Sequence, residues 1–333
     1  MQKLLTRRLA TTSGPALLGT VALGVLPSGP RAQGALPKGP VRILVGFSAG
    51  GSADVVGRLI AEKFRERTGL TTVVENKPGV SGVIATEAAA RAAPDGNTMV
   101  LAAMASTIMA KLTFTKLPYD PQKDLAPVSL VSTFQLVLAV TPSLPIATMA
   151  QFATWAKANP DKASFGVPAV GGHSHFFGLM LGKTLGVDMQ VVPYKGSAPM
   201  ITDLSSGQLH VGVSALSDFL ASHKAGKVRI IATSGQERSL SAPDLPTFTE
   251  SGFPTLAGDG WLALYAPANT PPATIAALSA EMGAVLKTPD VRERIVLLGM
   301  DPRGSTPAGL AEFDEGELKR WQPIVAASGF KVE

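Results

Sequence analysis

The run Gly46-Phe47-Ser48-Ala49-Gly50 offers nucleophile chemistry: it matches G-x-S-x-G, the sharp strand-to-helix turn that exposes a serine hydroxyl, and the apolar run Val41 to Val45 stands before it. A serine nucleophile also needs an oxyanion-hole amide from an earlier strand and a later histidine to take its proton. Only a leader-like segment precedes Val41, so the earlier amide has no source, and a serine hydrolase at Ser48 stands as an alternative. The leading reading is a Gly-rich loop, Phe47, Ser48, Ala49, Gly50, Gly51 and Ser52, that opens a helix. Unpaired backbone amides and the helix dipole together favour an anion there, so a carboxylate can dock without an arginine. G-x-G-x-x-G is absent, as is a Lys-Ser/Thr ending to the loop, which disfavours a nucleotide. Asp54 would repel an anion that it faced, and is expected to cap the helix or brace the loop. A plain tight turn is the structural alternative.

A second loop of this kind, Gly171-Gly172-His173-Ser174-His175, also stands at a helix start. His173 and His175 as metal ligands form one alternative, but two residues apart on a helix they do not share a face, and no third ligand follows at the usual spacing. Ser174 as a simple N-cap is another. His210 and His223 are expected to be structural or exposed. Further hydroxyls fall in Met104 to Thr107, with Ala105 and Ser106, and in Ser214 to Asp218, after strands whose C-terminal ends bind ligands in parallel sheets. Tyr194-Lys195-Gly196 is one more polar loop, with Lys195 a solvated surface residue by default.

The elements that must position these loops alternate. Val41 to Val45 reads as a strand, then a helix with Val55, Val56, Leu59, Ile60 and Phe64 on one face, a strand Thr71 to Val74, an Ala-rich helix to Ala93 and a strand Thr98 to Ala102. This is βαβαβ, hence a parallel sheet. A strand Leu136 to Val140 precedes the break at Pro142 to Pro145. Beyond it the logic repeats, with strands Ala163 to Val167, Met189 to Val192, Leu209 to Val213 and Arg229 to Thr233 alternating with helices. An apolar strand, Trp261 to Tyr265, and three helices end the chain, the last with Thr306 as N-cap and Pro307 at its first position.

The 333 residues exceed what one compact core usually holds. Hydrophobic content of 45% with 17% charged residues excludes a disordered chain. The formal charge of +5 misleads: four of the basic residues lie in the first 34, which contain no Asp or Glu, leaving 26 basic against 25 acidic residues. Nucleic acid is therefore not an expected partner. That first segment has a basic start, a mildly apolar stretch from Pro15 to Leu26 and a small-residue exit, Ala32-Gln33-Gly34, and reads as a signal peptide over residues 1–34, by the general or, from Thr6-Arg7-Arg8-Leu9, the twin-arginine route. Cysteine is absent, so export to an oxidising compartment is harmless, and no thiolate metal site exists.

Taken in order, several segments resemble the Bug-type family of periplasmic receptors, the solute-binding components of tripartite tricarboxylate transporters. They are Val41-Arg42-Ile43-Leu44-Val45 with Gly50-Gly51-Ser52-Ala53-Asp54, then Val74-Glu75-Asn76-Lys77-Pro78-Gly79, Arg91-Ala92-Ala93-Pro94-Asp95-Gly96 and Leu117-Pro118-Tyr119-Asp120-Pro121. Val192-Pro193-Tyr194-Lys195-Gly196, Ala225-Gly226-Lys227 and Leu264-Tyr265-Ala266-Pro267 follow. The resemblance implies an α/β periplasmic-binding-protein fold of type II, two domains joined by two crossover strands, with a small carboxylate (a dicarboxylate, amino acid or aromatic acid) closed between them. Residues 35–140 with 256–333 are expected to form domain one and 141–255 domain two.

The expected protein is a periplasmic, monomeric receptor without catalysis, metal or cofactor. Its partners would be a tripartite tricarboxylate-type permease or, in the alternative, a membrane sensor kinase. Phe47, Ser48, Ala49, Gly50, Gly51 and Ser52 would hold one carboxylate, and Ala105, Ser106, Gly171, Gly172, His173, Tyr194 and Ser214 would line the rest of the cleft. The sequence departs from the family pattern where Ser48-Ala49 replaces a proline pair, where Gly172 replaces a Ser or Thr with His173 added beside it, and where Ser214 and His210 replace acidic residues.

Overall fold

The computed structural model describes residues 36–333, so the leader expected over residues 1–34 lies outside them. The chain opens with strand β1 (Val41–Val45), helix α1 (Ser52–Thr68), strand β2 (Thr72–Asn76), helix α2 (Val83–Ala90) and strand β3 (Thr98–Ala103). β1 pairs in parallel with both β2 and β3. A parallel strand covered on both faces needs a near-continuous apolar run, and Val41, Ile43, Leu44 and Val45 are all buried. α1 covers one face with Ala53, Val56, Gly57, Ile60, Ala61 and Phe64 buried at helical spacing. Helix and sheet come close at Gly57, where a Cβ would stand 3.1 Å from Val45 Cγ2.

A π-helical turn (Ala105–Met109) then runs into α3 (Ala110–Thr113), and α4 (Pro121–Asp124) leads into β4 (Leu125–Phe134), a strand absent from the sequence reading. Its pairing with β10 carries two register shifts and includes Pro127, which has no amide to donate. Its buried Ser129 and Ser132 interrupt the apolar pattern, and both hydroxyls find partners inside the protein, at the Leu130 carbonyl and Met300 Sδ. Neither feature leaves a period-two signal to read.

Beyond Gln135 come β5 (Leu136–Val140), α5 (Met149–Ala158), β6 (Phe165–Val167), α6 (His173–Leu185), β7 (Val191–Pro193), α7 (Ser197–Ser206), β8 (Val211–Ala215), α8 (Leu216–Lys224) and β9 (Arg229–Thr233). Residues 234–259 lead to β10 (Gly260–Pro267), α9 (Pro272–Val285), α10 (Pro289–Leu297), β11 (Asp301–Pro302) and α11 (Pro307–Ser328). One sheet runs β11-β4-β10-β3-β1-β2 and the other β7-β6-β8-β5-β9. In each, three parallel strands are followed by the strand that has just crossed from the other sheet, antiparallel to its neighbours. The sequence division at residue 140 therefore misplaces β5, which pairs with β8 and β9 in the second sheet. Its apolar run fits either sheet equally, and the break at Pro142 marks its end, not the crossover.

Two segments join the sheets, Gln135 alone and residues 234–259. Ser234 ties them together: its amide donates to the Leu136 carbonyl at 2.8 Å, its hydroxyl oxygen accepts from the Leu136 amide at 2.9 Å, and its hydroxyl donates to Asp259 at 2.7 Å. Beside them lies a cavity of about 350 Å³ lined in part by Thr133, Ser234, Asp259, Arg303, Glu317 and Arg320. α11 packs on both β4 and α6 and so bridges the two sheets, with Trp321 fully buried between them.

Candidate ligand-binding site

The C-terminal ends of β1, β2 and β3 in one sheet and of β6, β7 and β8 in the other release the loops that carry the candidate residues. After β1, Phe47 is half-buried and Ser48 to Gly51 are exposed. Asp54 organises this loop from below. Its carboxylate accepts the Gly50 amide at 2.8 Å, Arg58 Nε at 3.0 Å and Asn76 Nδ2 at 2.9 Å, and the same Asn76 nitrogen donates to the Phe47 carbonyl at 3.0 Å. The Arg58 hydrogen bond, helped by those of Gly50 and Asn76 and opposed by burial, holds the Asp54 carboxyl at about 2. Asp54 is a brace, one of the two roles expected of it, and the Gly50 amide is committed to that brace. The Gly51 amide is also spent, on the Ser48 carbonyl at 3.3 Å.

What remains free is the helix start. No side chain caps α1, whose N-cap is the extended Gly51, and among the described residues Ser52, Ala53 and Asp54 find no acceptor for their amides. α6 repeats the arrangement: its N-cap is Gly172, no side chain caps it, and the His173 and Ser174 amides have no acceptor among the described residues. The reading of Ser174 as N-cap is thus corrected, because the helix begins at His173, two residues before the start that a Ser174 cap requires. Two helices of 17 and 13 residues therefore present uncapped positive ends beside the ends of β1 and β6. Each such end favours an anion.

The remaining candidates are placed unevenly. Ser106 is buried; its hydroxyl lies 2.9 Å from Thr86 Oγ1 and 3.2 Å from the Ala103 carbonyl, while Ala105 beside it is half-buried. Ser214 is buried and donates to Asp218. Burial pushes the Asp218 carboxyl up, against hydrogen bonds from Ser214 and Ser197. Tyr194 gives its hydroxyl to Asp203 at 2.8 Å, and burial together with that carboxylate pushes its pKa to about 12. Gly171 and Gly172 are half-buried, and the Gly171 amide donates to His175 Nδ1 at 3.1 Å. His173 is buried edge-on to Trp321, ring centroids 4.8 Å apart, and among the described residues neither of its ring nitrogens has a hydrogen-bond partner. Burial first, and Arg320 second, hold it neutral with a pKa of about 3.

A family model described as the tripartite tricarboxylate transporter family receptor, TctC, matches residues 56–330. The chain belongs to this family. BugT of Bordetella pertussis is 30% identical over 321 residues, 95% of this chain and 98% of that one. Two solved structures are similar in both sequence and fold. The Rhodopseudomonas palustris protein Rpa4515 with adipate has 30% identity and a TM-score of 0.75, over 89% of this chain and 99% of that one. MatC of the same organism with bound malate has 31% identity and a TM-score of 0.72, over 87% and 100%. The fold is accordingly the periplasmic-binding-protein fold of the TctC receptors, which are solute-binding proteins and not an enzyme family.

Within a TctC receptor the hydrolase reading of Ser48 finds no support in geometry. His175 accepts from Gly171, His223 accepts from the Ile230 amide, His210 lies tilted against Trp155 with ring centroids 6.0 Å apart and His173 is buried against Trp321, and among the described residues no histidine is hydrogen-bonded to Ser48. Among the described residues no group of three or more His, Asp or Glu is arranged to hold a metal. The sequence reading gave no site role to Asn76, Thr86 or Asp218, which hold the loops from neighbouring elements. Of these only Asn76 stood in a motif that the sequence singled out for the resemblance.

Proposed function

We propose that this protein is a periplasmic receptor that closes around a small carboxylate and presents it to a tripartite tricarboxylate-type permease. The observation that carries this reading is the pair of uncapped helix starts, α1 and α6, one beside each sheet. Adipate in one relative and malate in another support a dicarboxylate. In this reading Phe47 to Ser52 receive one carboxylate, Ala105, Ser106, Gly171, Gly172, His173, Tyr194 and Ser214 line the remainder, and no reaction is catalysed. The ligand would meet backbone amides and hydroxyls in place of a guanidinium, since the loops after β1, β3, β6 and β8 contain no arginine. The two lobes would be residues 36–134 with 260–333, and residues 136–233, hinged on Gln135 and 234–259.

Melting the mature chain against mono-, di- and tricarboxylates and aromatic acids tests this. Ligand at 100 times its Kd adds about 2.7 kcal/mol to the native state, a readily measured rise in Tm. Gly50 has φ +83° with open space around the position of a Cβ, so tryptophan there strains the loop and projects into the site. A saturable rise with a dicarboxylate that disappears in Gly50→Trp supports the receptor and its site. A rise with neutral or cationic solutes only overturns the anion reading, and unchanged affinity in Gly50→Trp overturns the placement.

A further inference from the structure

Between β2 and α2 four consecutive residues have positive φ: Gly79 at +137°, Val80 at +48°, Ser81 at +54° and Gly82 at +93°. A β-branched residue in this region is an outlier, and such a turn persists only where its surroundings over-determine it. Here it is wedged against the first ligand loop. A Cβ on Gly46 would stand 2.4 Å from Gly82 Cα, and one on Gly82 would stand 3.8 Å from the Phe47 ring and 3.4 Å from Ser106 Cβ. The turn, the β1 loop and the π-helical turn after β3 therefore share one contact.

Two buried side chains hold that contact without being exposed at the loop surface. Thr86, on α2, lies with its hydroxyl 3.0 Å from the Gly82 carbonyl and 2.9 Å from Ser106 Oγ. Each hydroxyl carries one proton, so the chain runs in one of two senses. Either Ser106 donates to Thr86 and Thr86 to Gly82, or Thr86 donates to Ser106 and Ser106 to the Ala103 carbonyl at 3.2 Å. Tyr119, buried in the Leu117 to Pro121 segment, donates to the Ser106 carbonyl from the other side. The π-helical geometry of Ala105–Met109, a departure that recurs at functional sites, is thus pinned at Ser106 through both its hydroxyl and its carbonyl.

We propose that Thr86 and Tyr119 are positioning residues of the ligand site, which through Ser106 and Gly82 lock the first-sheet wall of the cleft in its binding geometry before ligand arrives. The proposal rests on the receptor reading above, with Ser106 and the Phe47 to Ser52 loop in the site. A wall set in advance makes most unliganded molecules competent to bind. Loss of the hydroxyl chain lowers that fraction, which slows association and leaves dissociation nearly unchanged. Loss of a direct ligand contact would instead speed dissociation.

Stopped-flow binding of malate and adipate to wild type, Thr86→Val, Thr86→Ser, Tyr119→Phe and Gly50→Trp tests the proposal, alongside hydrogen exchange of the unliganded proteins. The expected result is association about tenfold slower in Thr86→Val and Tyr119→Phe with dissociation within about twofold of wild type. Residues 79–82 and 105–107 should exchange faster, and Thr86→Ser, which keeps the hydroxyl, should bind as wild type does. Wild-type kinetics in both Thr86→Val and Tyr119→Phe, with Gly50→Trp inactive, would sink the proposal and leave the receptor reading standing. Faster dissociation, or a Thr86→Ser protein as impaired as Thr86→Val, would also overturn it, the latter by showing that packing and not the hydroxyl matters. If wild type binds neither acid nor any other carboxylate of the melting panel, the receptor reading and the positioning role fall together.

Discussion

Asp54 shows how a carboxylate that looks wrong for a proposed anion site can brace the loop beside it. Its charge is turned inward, shared among Arg58, Asn76 and the Gly50 amide, and its side chain is 3% exposed. A carboxyl held at about 2 against an ordinary 3.8 contributes stability that is fully present above pH 3.8 and lost as the pH falls through 2. Asp54→Asn should therefore cost on the order of 1–2 kcal/mol in urea melts at neutral pH, a difference that shrinks as wild-type Asp54 itself becomes protonated in acid. The role was legible because a helix-start Asp has few other uses. The neutral, unpaired His173 was not, because nothing near it in sequence announces that Trp321, on the last helix, will cover its ring. Tyr194 is a similar case, its hydroxyl drawn to Asp203 one element away.

Helix ends were legible where the signal is local and illegible where it is an absence. Thr306 followed by Pro307 is a start signature, and Thr306 Oγ1 accepts the Gly309 amide at 3.0 Å as that signature requires. Ser174 offered the same chemistry two residues too late, inside a helix whose N-cap is Gly172. The two sites predict opposite outcomes in the same measurement. Thr306→Ala should lower stability by about 1 kcal/mol, whereas Ser174→Ala should leave it within about 0.5 kcal/mol. Strands follow the same division. β1 and β9 coincide with their apolar runs, but β4 was hidden because its bulges and buried serines make sense only opposite β10 and beside Ser305. β5 was visible as a strand and misassigned as to sheet, since its partners β8 and β9 lie more than seventy residues further on.

At the scale of the molecule the charged cavity beside the crossovers is a feature sensitive to pH. Desolvation pushes Asp259 up to about 7, with Asp301 and Glu317 adding to the rise and the Ser234 hydroxyl and Arg303 opposing it. Arg320 lies over the Gly258 backbone, where a Cβ would come within 2.9 Å of its guanidinium carbon. A carboxyl raised this far above its unfolded value of 3.8 contributes stability that is fully present below that value and is lost as the pH climbs through about 7. Asp259→Asn should remove this dependence, so urea melts between about pH 5 and pH 8 should show the variant gaining on wild type as pH rises. A parallel pH profile in the two proteins would mean that Asp259 is solvated and ordinary.

The place where the chain leaves the first sheet and the place where it returns are partners in one ladder, Phe134 opposite Gly260. Residue 41 begins that same sheet, and Val332 bridges to Phe114, which precedes β4. Pulled apart by handles at residues 41 and 332, the protein would transmit force along its backbone and across the β4–β10 hydrogen bonds, which clip the second sheet into a closed loop. No tension reaches residues 136–233 until that clip opens. The molecule should therefore lengthen in two mechanical steps, with the segment from β5 to β9 released last.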